Sequence, residues 1–110
     1  MNKYGAKKTV VNGIRFDSKH EAERYIELKY LERIGEVRDL QLQVPFELIP
    51  AQKDENGKTL ERAVFYIADF VYFDHDGNIV VEDAKGMKTD AYKLKKKMML
   101  YFKGIRIVEV

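Results

Sequence analysis

The stretch that decides the fold of this chain runs Tyr66-Ile67-Ala68-Asp69-Phe70 and, after one short turn, Val81-Glu82-Asp83-Ala84-Lys85-Gly86. Both segments are hydrophobic enough to be strands of a sheet, yet they contain Asp69, Asp83 and Lys85. Taking a charged side chain out of water costs several kcal/mol unless the charge gains a partner or a metal ion. We therefore expect these three residues to lie together at a functional site.

The turn between the two segments, Asp74-His75-Asp76-Gly77-Asn78, decides which residues face each other. A two-residue Asp-Gly hairpin would bring Asp69 beside Glu82, whereas a three-residue loop with Gly77 in the left-handed region would set Asp69 opposite Asp83. We favour the three-residue loop, because its first aspartate can accept from the backbone two residues on and Gly77 supplies a positive φ. Lys85 then follows on the same face, because side chains alternate along a strand.

Length and composition restrict the class of protein. The chain has 110 residues, which predicts a single domain spanning residues 1–110, and it has no cysteine, which excludes disulfides and thiolate zinc sites. The basic N-terminal segment is followed by no apolar run, and no stretch approaches transmembrane length. We therefore expect a cytoplasmic protein that neither enters a membrane nor is secreted.

Positive charge is concentrated at the two ends of the chain, although the net charge is only +2. Residues 1–16 carry four bases and no acid, and residues 85–103 carry seven lysines against Asp90 alone. This distribution favours contact with a phosphate backbone. The alternative interpretation of the lysines between Lys93 and Lys97 is a solvated helix face.

Hydrophobic periodicity and capping signals predict the remaining elements. Asn12-Gly13 predicts a hairpin, Ser18 and Thr89 each predict the start of a helix, and Gly35 and Gly104 predict helix ends. The second helix is predicted to bury Ala91, Leu94, Met98 and Tyr101. The predicted strands are Thr9–Val11, Ile14–Phe16, one around Leu40–Phe46, Arg62–Phe73, Ile79–Lys85 and Ile105–Val110.

The predicted order ββ-α-βββ-α-β is typical of the α/β (α+β) class, with a mixed sheet and helices packed on it. Glu21 has two interpretations within this order. It completes a capping box with Ser18, or it points toward the sheet on the same helix stripe as Tyr25 and Leu28. Glu82 alternates away from Asp83, so we expect it at the edge of the site and not among the metal ligands.

Two motifs of this chain resemble those of known nucleases. Asp69 followed by Asp83-Ala84-Lys85 resembles the signature of the PD-(D/E)XK nuclease superfamily, whose fold is restriction-endonuclease-like, with Ala68 where the family often has proline. Phe16-Asp17-Ser18-Lys19-His20-Glu21 resembles the start of the catalytic helix in phage Holliday-junction-resolving endonucleases of the endonuclease I type. The chain is also similar, from this helix start to the last strand, to small phage and prophage proteins of the same superfamily.

The resemblance implies a metal-dependent endonuclease that hydrolyses phosphodiester bonds. Its implied catalytic residues are Glu21, Asp69, Asp83 and Lys85. The three carboxylates and the backbone carbonyl of Ala84 would hold Mg²⁺ or Mn²⁺, which prefer oxygen ligands, and Lys85 would position or polarise the attacking water.

The expected substrate is branched DNA, cut by a homodimeric Holliday-junction resolvase of phage or prophage type. A nicking or repair nuclease is one alternative, and a non-catalytic DNA-binding phage protein is another. In the last case the acids and Lys85 would form a structural ion-pair cluster. The residues expected to contact DNA phosphates are Lys7, Lys8, Arg24, Lys88, Lys93, Lys95, Lys96 and Lys97.

Overall fold

A computed structural model describes residues 8–84 and 88–110 of the protein. Within these ranges the chain forms two helices and eight strands, which confirms the predicted α+β class with a mixed sheet. The predictions for Lys7 and Lys85 lie outside the described residues. The elements are β1 Thr9–Val11, β2 Ile14–Phe16, α1 Lys19–Arg33, β3 Arg38–Ile49, β4 Gln52–Lys53, β5 Thr59–Glu61, β6 Val64–Phe73, β7 Ile79–Asp83, α2 Asp90–Lys103 and β8 Val108–Glu109.

Four strands form the main sheet in the order β3-β6-β7-β8. The β3–β6 and β6–β7 pairs are antiparallel and the β7–β8 pair is parallel. The hairpins β1–β2 and β4–β5 are separate two-stranded sheets. The chain therefore brings β6 and β7, which carry the two aspartates, to the middle of the main sheet.

The turn between β6 and β7 is the predicted three-residue loop. The backbone N–H of Asp74 donates to the carbonyl of Asn78 at 2.9 Å, and Gly77 has a φ of 84°. The Asp74 side chain accepts from the backbone N–H of Asn78 at 2.9 Å. The resulting register pairs Phe70 with Glu82, and continuing it by one residue sets Asp69 opposite Asp83.

The cap signals near both helix starts are confirmed. Ser18 accepts from the backbone N–H of Glu21 at 3.1 Å, and Thr89 accepts from that of Tyr92 at 3.1 Å. The predicted long strand begins at Val64, two residues later than expected, because the residues around the preceding turn form the additional hairpin β4–β5. The last strand is shorter than predicted and covers only Val108–Glu109.

The prediction for the buried face of α2 was wrong. Tyr92 and Met99 are buried, whereas Leu94 and Tyr101 are 58% and 83% exposed. The Tyr92 hydroxyl donates to Glu109 at 2.8 Å, so this residue faces the sheet and gains a partner for its polar atom. The face turned to the sheet is therefore displaced by about 100°, the angle of one residue along a helix.

The two helices cover opposite faces of the main sheet. Tyr25 and Leu28 of α1 pack in a cluster with Phe70, while Tyr92 and Met99 of α2 pack in a second cluster. The buried part of α1 is the predicted stripe Glu21, Tyr25 and Leu28, together with Ala22. Glu21 is therefore held close to the sheet.

Candidate active site

Three buried carboxylates come from three different elements of the fold. Asp69 comes from β6, Asp83 from the end of β7 and Glu21 from the first turn of α1. None of them is more than 8% exposed. Like charges at this depth repel one another unless hydrogen-bond donors or a cation compensate them.

Gln43 of β3 joins two of these carboxylates. Its side-chain amide nitrogen donates to Glu21 at 3.2 Å and to Asp69 at 3.1 Å. The Glu21 carboxylate thus faces the sheet, as the functional interpretation of this residue predicts, while the Glu21 backbone N–H binds the Ser18 cap. Gln43 itself is exposed, so it covers the acids from the solvent side.

The backbone of Gln43 has a φ of 52°, in the left-handed region that residues other than glycine rarely adopt. Non-glycine residues in this region are concentrated at functional sites, where the surrounding structure supports them. This conformation interrupts the regular course of β3 at the position opposite Asp69, between the pairs Leu42–Phe70 and Val44–Ala68.

The sheet changes its buried face at Asp69. Ala68 belongs to the cluster under α2, whereas Phe70, two residues on, belongs to the cluster under α1. On β3 the same change separates Val44 from Leu42. Residues two apart normally share a face of a strand, so this change marks an irregularity in both strands. Asp69 therefore lies where the two cores meet, within reach of α1.

Backbone and hydroxyl donors orient the two aspartates. The other oxygen of Asp69 accepts from the backbone N–H of Ala84 at 2.8 Å, and Asp83 accepts from the Tyr66 hydroxyl at 2.8 Å. Burial and the bond to Asp83 raise the pKa of Tyr66 far above its usual range. The hydroxyl of Tyr66 is therefore protonated and acts as a permanent donor to Asp83.

Glu82, the residue before Asp83 on β7, binds α1. Its carboxylate, 1% exposed, accepts two hydrogen bonds from the Arg24 guanidinium, at 2.8 and 2.6 Å, and one from the Tyr72 hydroxyl. The bond to Glu82 raises the pKa of Arg24, and burial together with Glu82 raises the pKa of Tyr72 to about 12. Glu82 thus faces away from Asp83, as predicted, and the structure pairs Arg24 with an acid.

Two of the lysines expected to contact DNA pair with an acid instead of lying alone on the surface. Lys88 and Lys96 each approach Glu109 at 3.2 Å. Hydrogen bonds from Tyr92, Lys96 and Lys88 lower the pKa of Glu109 to about 2. The other described lysines of this set are exposed or half-buried: Lys8, Lys93 and Lys97 are exposed, and Lys95 is half-buried.

The chemistry of the three carboxylates fits Mg²⁺ or Mn²⁺. All their donor atoms are hard oxygens, and the Gln43 amide already brings an oxygen of Glu21 and one of Asp69 to within hydrogen-bond distance of a common atom. Across residues 8–84 and 88–110, no three acid or histidine side chains are grouped as a ready-made metal site. Binding an ion would therefore require these side chains to draw closer.

Two residues of this site were missed by sequence reasoning. Tyr66 lies in a hydrophobic strand, where a buried tyrosine needs a partner for its hydroxyl, and this signal could have linked it to an acid. Gln43 occupies a polar position of an alternating strand, like Gln41, and nothing in the sequence distinguishes the two. Only the backbone conformation and the register single out Gln43.

Neither of the helices α1 and α2 is both long and apolar enough to cross a membrane.

The comparisons with known proteins identify a family. Neither the curated proteins nor the solved structures contain a match to this chain. Residues 1–108 match the family described as "Protein of unknown function (DUF1064)", and the chain therefore belongs to that family.

Proposed function

We propose that this protein is a metal-dependent endonuclease that hydrolyses phosphodiester bonds of DNA. The observation that carries the proposal is the juxtaposition of Asp69 and Asp83 on neighbouring strands, with Glu21 joined to Asp69 through Gln43. Buried carboxylates are costly to the fold, so a group that uses their charge offers a reason for their presence. The resemblance of the same residues to the PD-(D/E)XK signature supports this function.

Glu21, Asp69 and Asp83 would hold Mg²⁺ or Mn²⁺, with the backbone carbonyl of Ala84 as a further ligand. Such an ion neutralises charge on the phosphoryl oxygens and lowers the pKa of a bound water. The chain's own donors would orient the ligands: Ala84 through its N–H to Asp69, and Tyr66 through its hydroxyl to Asp83. Fixed partners of this kind hold ligand side chains in one orientation.

Lys85 would supply the remaining charge of the proposed site. It follows Ala84 directly in the sequence, next to the residue whose N–H binds Asp69. A lysine ammonium is a compact donor on a flexible stem, which suits positioning the attacking water and stabilising the developing negative charge.

The proposed substrate is branched DNA, cut by a homodimer that acts as a Holliday-junction resolvase in the cytoplasm, or in the host cytoplasm if a phage encodes it. Lysines on α2 and near β1 would contact phosphates and give affinity without reading the base sequence. Lys93 and Lys97 are the strongest candidates among the four lysines from Lys93 to Lys97, because they are exposed whereas Lys95 and Lys96 are half-buried. Arg24, Lys88 and Lys96 already pair with acids, and their contact with DNA stays a prediction.

The test is cleavage of a four-way junction, a flap, a nicked duplex and an intact duplex, compared side by side with Mg²⁺ and with a chelator. A resolvase is expected to cut the junction at paired positions only when Mg²⁺ is present. Single cuts in the nicked or flap substrate would favour a nicking or repair nuclease. Binding of these substrates with no cleavage of any of them would favour the non-catalytic DNA-binding protein.

A further inference from the structure

We propose that Gln43 is a displaceable latch: its amide holds Glu21 and Asp69 together in the metal-free protein, and a divalent cation takes its place when it binds. The inference rests on the proposed metal-dependent function and concerns the step by which the ion enters. It assigns a positioning role to a residue that the nuclease resemblance does not include.

The geometry of the Gln43 amide supports this role. One nitrogen atom donates to an oxygen of Glu21 at 3.2 Å and to an oxygen of Asp69 at 3.1 Å. A neutral amide that donates to two carboxylates offsets part of their mutual repulsion, and hydrogen bonds to ionised acceptors are stronger than those between neutral groups. The amide therefore occupies the position between two oxygens that a cation would also seek.

The Gln43 amide nitrogen and a divalent cation cannot both occupy the position between these two carboxylate oxygens. A divalent ion is bound at a shorter distance than a hydrogen-bond donor and requires direct contact with the carboxylate oxygens. The Gln43 side chain must therefore leave when the ion enters. Because Gln43 is exposed, its side chain can rotate into solvent without opening the hydrophobic core.

The backbone at Gln43 explains how an exposed strand residue reaches buried acids. Its φ of 52° falls at the point where β3 and β6 change their buried face, opposite Asp69. Gln41, two residues earlier on β3, is also an exposed glutamine and is paired with Val71. The two residues thus form a matched pair that differs in its relation to the acids.

Gln43→Met is the informative variant, since methionine keeps the length of the side chain but cannot donate to carboxylates. Gln41→Met is the control for the substitution itself. Both are compared with the wild type by calorimetric titration with MnCl₂ alone, and by thermal unfolding with a chelator and with saturating Mn²⁺. Neither measurement depends on DNA cleavage.

We expect Gln43→Met to lower the unfolding temperature in the presence of the chelator, because the two carboxylates lose their shared hydrogen-bond donor. It also predicts that the variant binds Mn²⁺ about tenfold more tightly, since the ion no longer has to displace two charge-assisted hydrogen bonds. The rise in unfolding temperature on adding Mn²⁺ should then exceed that of the wild type. Gln41→Met should match the wild type in all three quantities.

Two results would overturn the latch. Weaker Mn²⁺ binding by Gln43→Met would mean that Gln43 contributes a ligand oxygen, and unchanged binding would mean that its amide does not compete with the ion. Both results presuppose that the wild type binds Mn²⁺. No heat of binding and no shift of the unfolding temperature in the wild type would instead refute the proposed metal-dependent function, and the latch with it.

Discussion

The guanidinium of Arg24 donates two hydrogen bonds to the carboxylate of Glu82, at 2.8 and 2.6 Å, and so joins α1 to β7. Arg24 lies three residues after Glu21, and Glu82 directly precedes Asp83. The ion pair therefore sets the position of one proposed metal ligand relative to another. Glu82 is only 1% exposed, and its carboxylate also accepts a hydrogen bond from the Tyr72 hydroxyl. These partners offset the cost of burying its charge.

Arg24→Ala is expected to destabilise the protein by about 3 kcal/mol, because it leaves the Glu82 carboxylate buried without its cation. Urea unfolding of the wild type and the variant measures the change in the free energy of unfolding. The control is Lys19→Ala, which removes an exposed helix pair with Glu23 and should cost less than about 0.5 kcal/mol. Equal stability of Arg24→Ala and the wild type would contradict a role of this ion pair in fixing α1.

Glu21→Gln separates the two interpretations of Glu21. Glutamine can still serve the helix cap but lacks the charge of a metal ligand, so cleavage should be strongly reduced at near-normal stability. Ser18→Ala is the opposite control: it should cost about 1 kcal/mol of stability, from loss of the cap, and keep the cleavage activity. Full activity of Glu21→Gln would contradict the role of Glu21 as a metal ligand.

Acid should weaken the junction between β8 and α2 through Glu109. Hydrogen bonds from Tyr92, Lys96 and Lys88 lower the pKa of this carboxyl from 4.5 to about 2 in the folded state. A carboxyl with a lowered folded-state pKa stabilises the protein above its unfolded pKa, and this contribution is lost as the pH falls toward the folded value.

The free energy of unfolding should therefore decrease between pH 4.5 and about 2, and Glu109→Gln should make this decrease shallower. Urea unfolding at a series of pH values measures both slopes. Glu61, an exposed carboxylate of β5, provides the control variant Glu61→Gln, which should leave the slope as in the wild type. Identical slopes for the wild type and Glu109→Gln would show that Glu109 does not contribute to the acid sensitivity.

If the protein is a resolvase, the working unit is expected to be a symmetric dimer, because a four-way junction must be cut at two related positions and each chain would supply one proposed site. The expected contact is either the ribbon β1–β2 or the strand β3, which lies at the edge of the main sheet. Light scattering during size exclusion, with and without a bound junction, gives the mass. A monomer in both states would favour a nicking enzyme over a resolvase.

Turn chemistry and helix spacing predicted the parts of the site that are set by residues close together in the sequence. The turn residues Asp74 and Gly77 fixed the β6–β7 register, and that register alone sets Asp69 opposite Asp83. The spacing of Tyr25 and Leu28 gave the buried face of α1 as one of two interpretations of Glu21, and the structure places Glu21 there. In each case the deciding residues lie within a few positions of one another.

Long-range packing determined what the sequence did not predict. The rotation of α2 follows from the contact of Tyr92 with Glu109, 17 residues away, and helix periodicity cannot detect that contact. Gln43 reaches Glu21, 22 residues away, only because β3 takes a left-handed φ of 52° where the sheet changes its buried face. A regular alternation of side chains along β3 predicts neither the contact of Gln43 with Glu21 nor the change of buried face.

The proposed active site is tested by Mg²⁺-dependent cleavage of a four-way junction by the wild type, Asp83→Asn and the exposed turn control Asp76→Asn. We expect the wild type and Asp76→Asn to cut the junction. Asp83→Asn should bind it with similar affinity but leave it intact, because the proposed role of this carboxylate is to hold the metal ion, whereas the proposed role of the lysines is to bind phosphate. Cleavage by Asp83→Asn at the wild-type rate, or no cleavage by the wild type of any DNA substrate, would refute metal-dependent cleavage at this site.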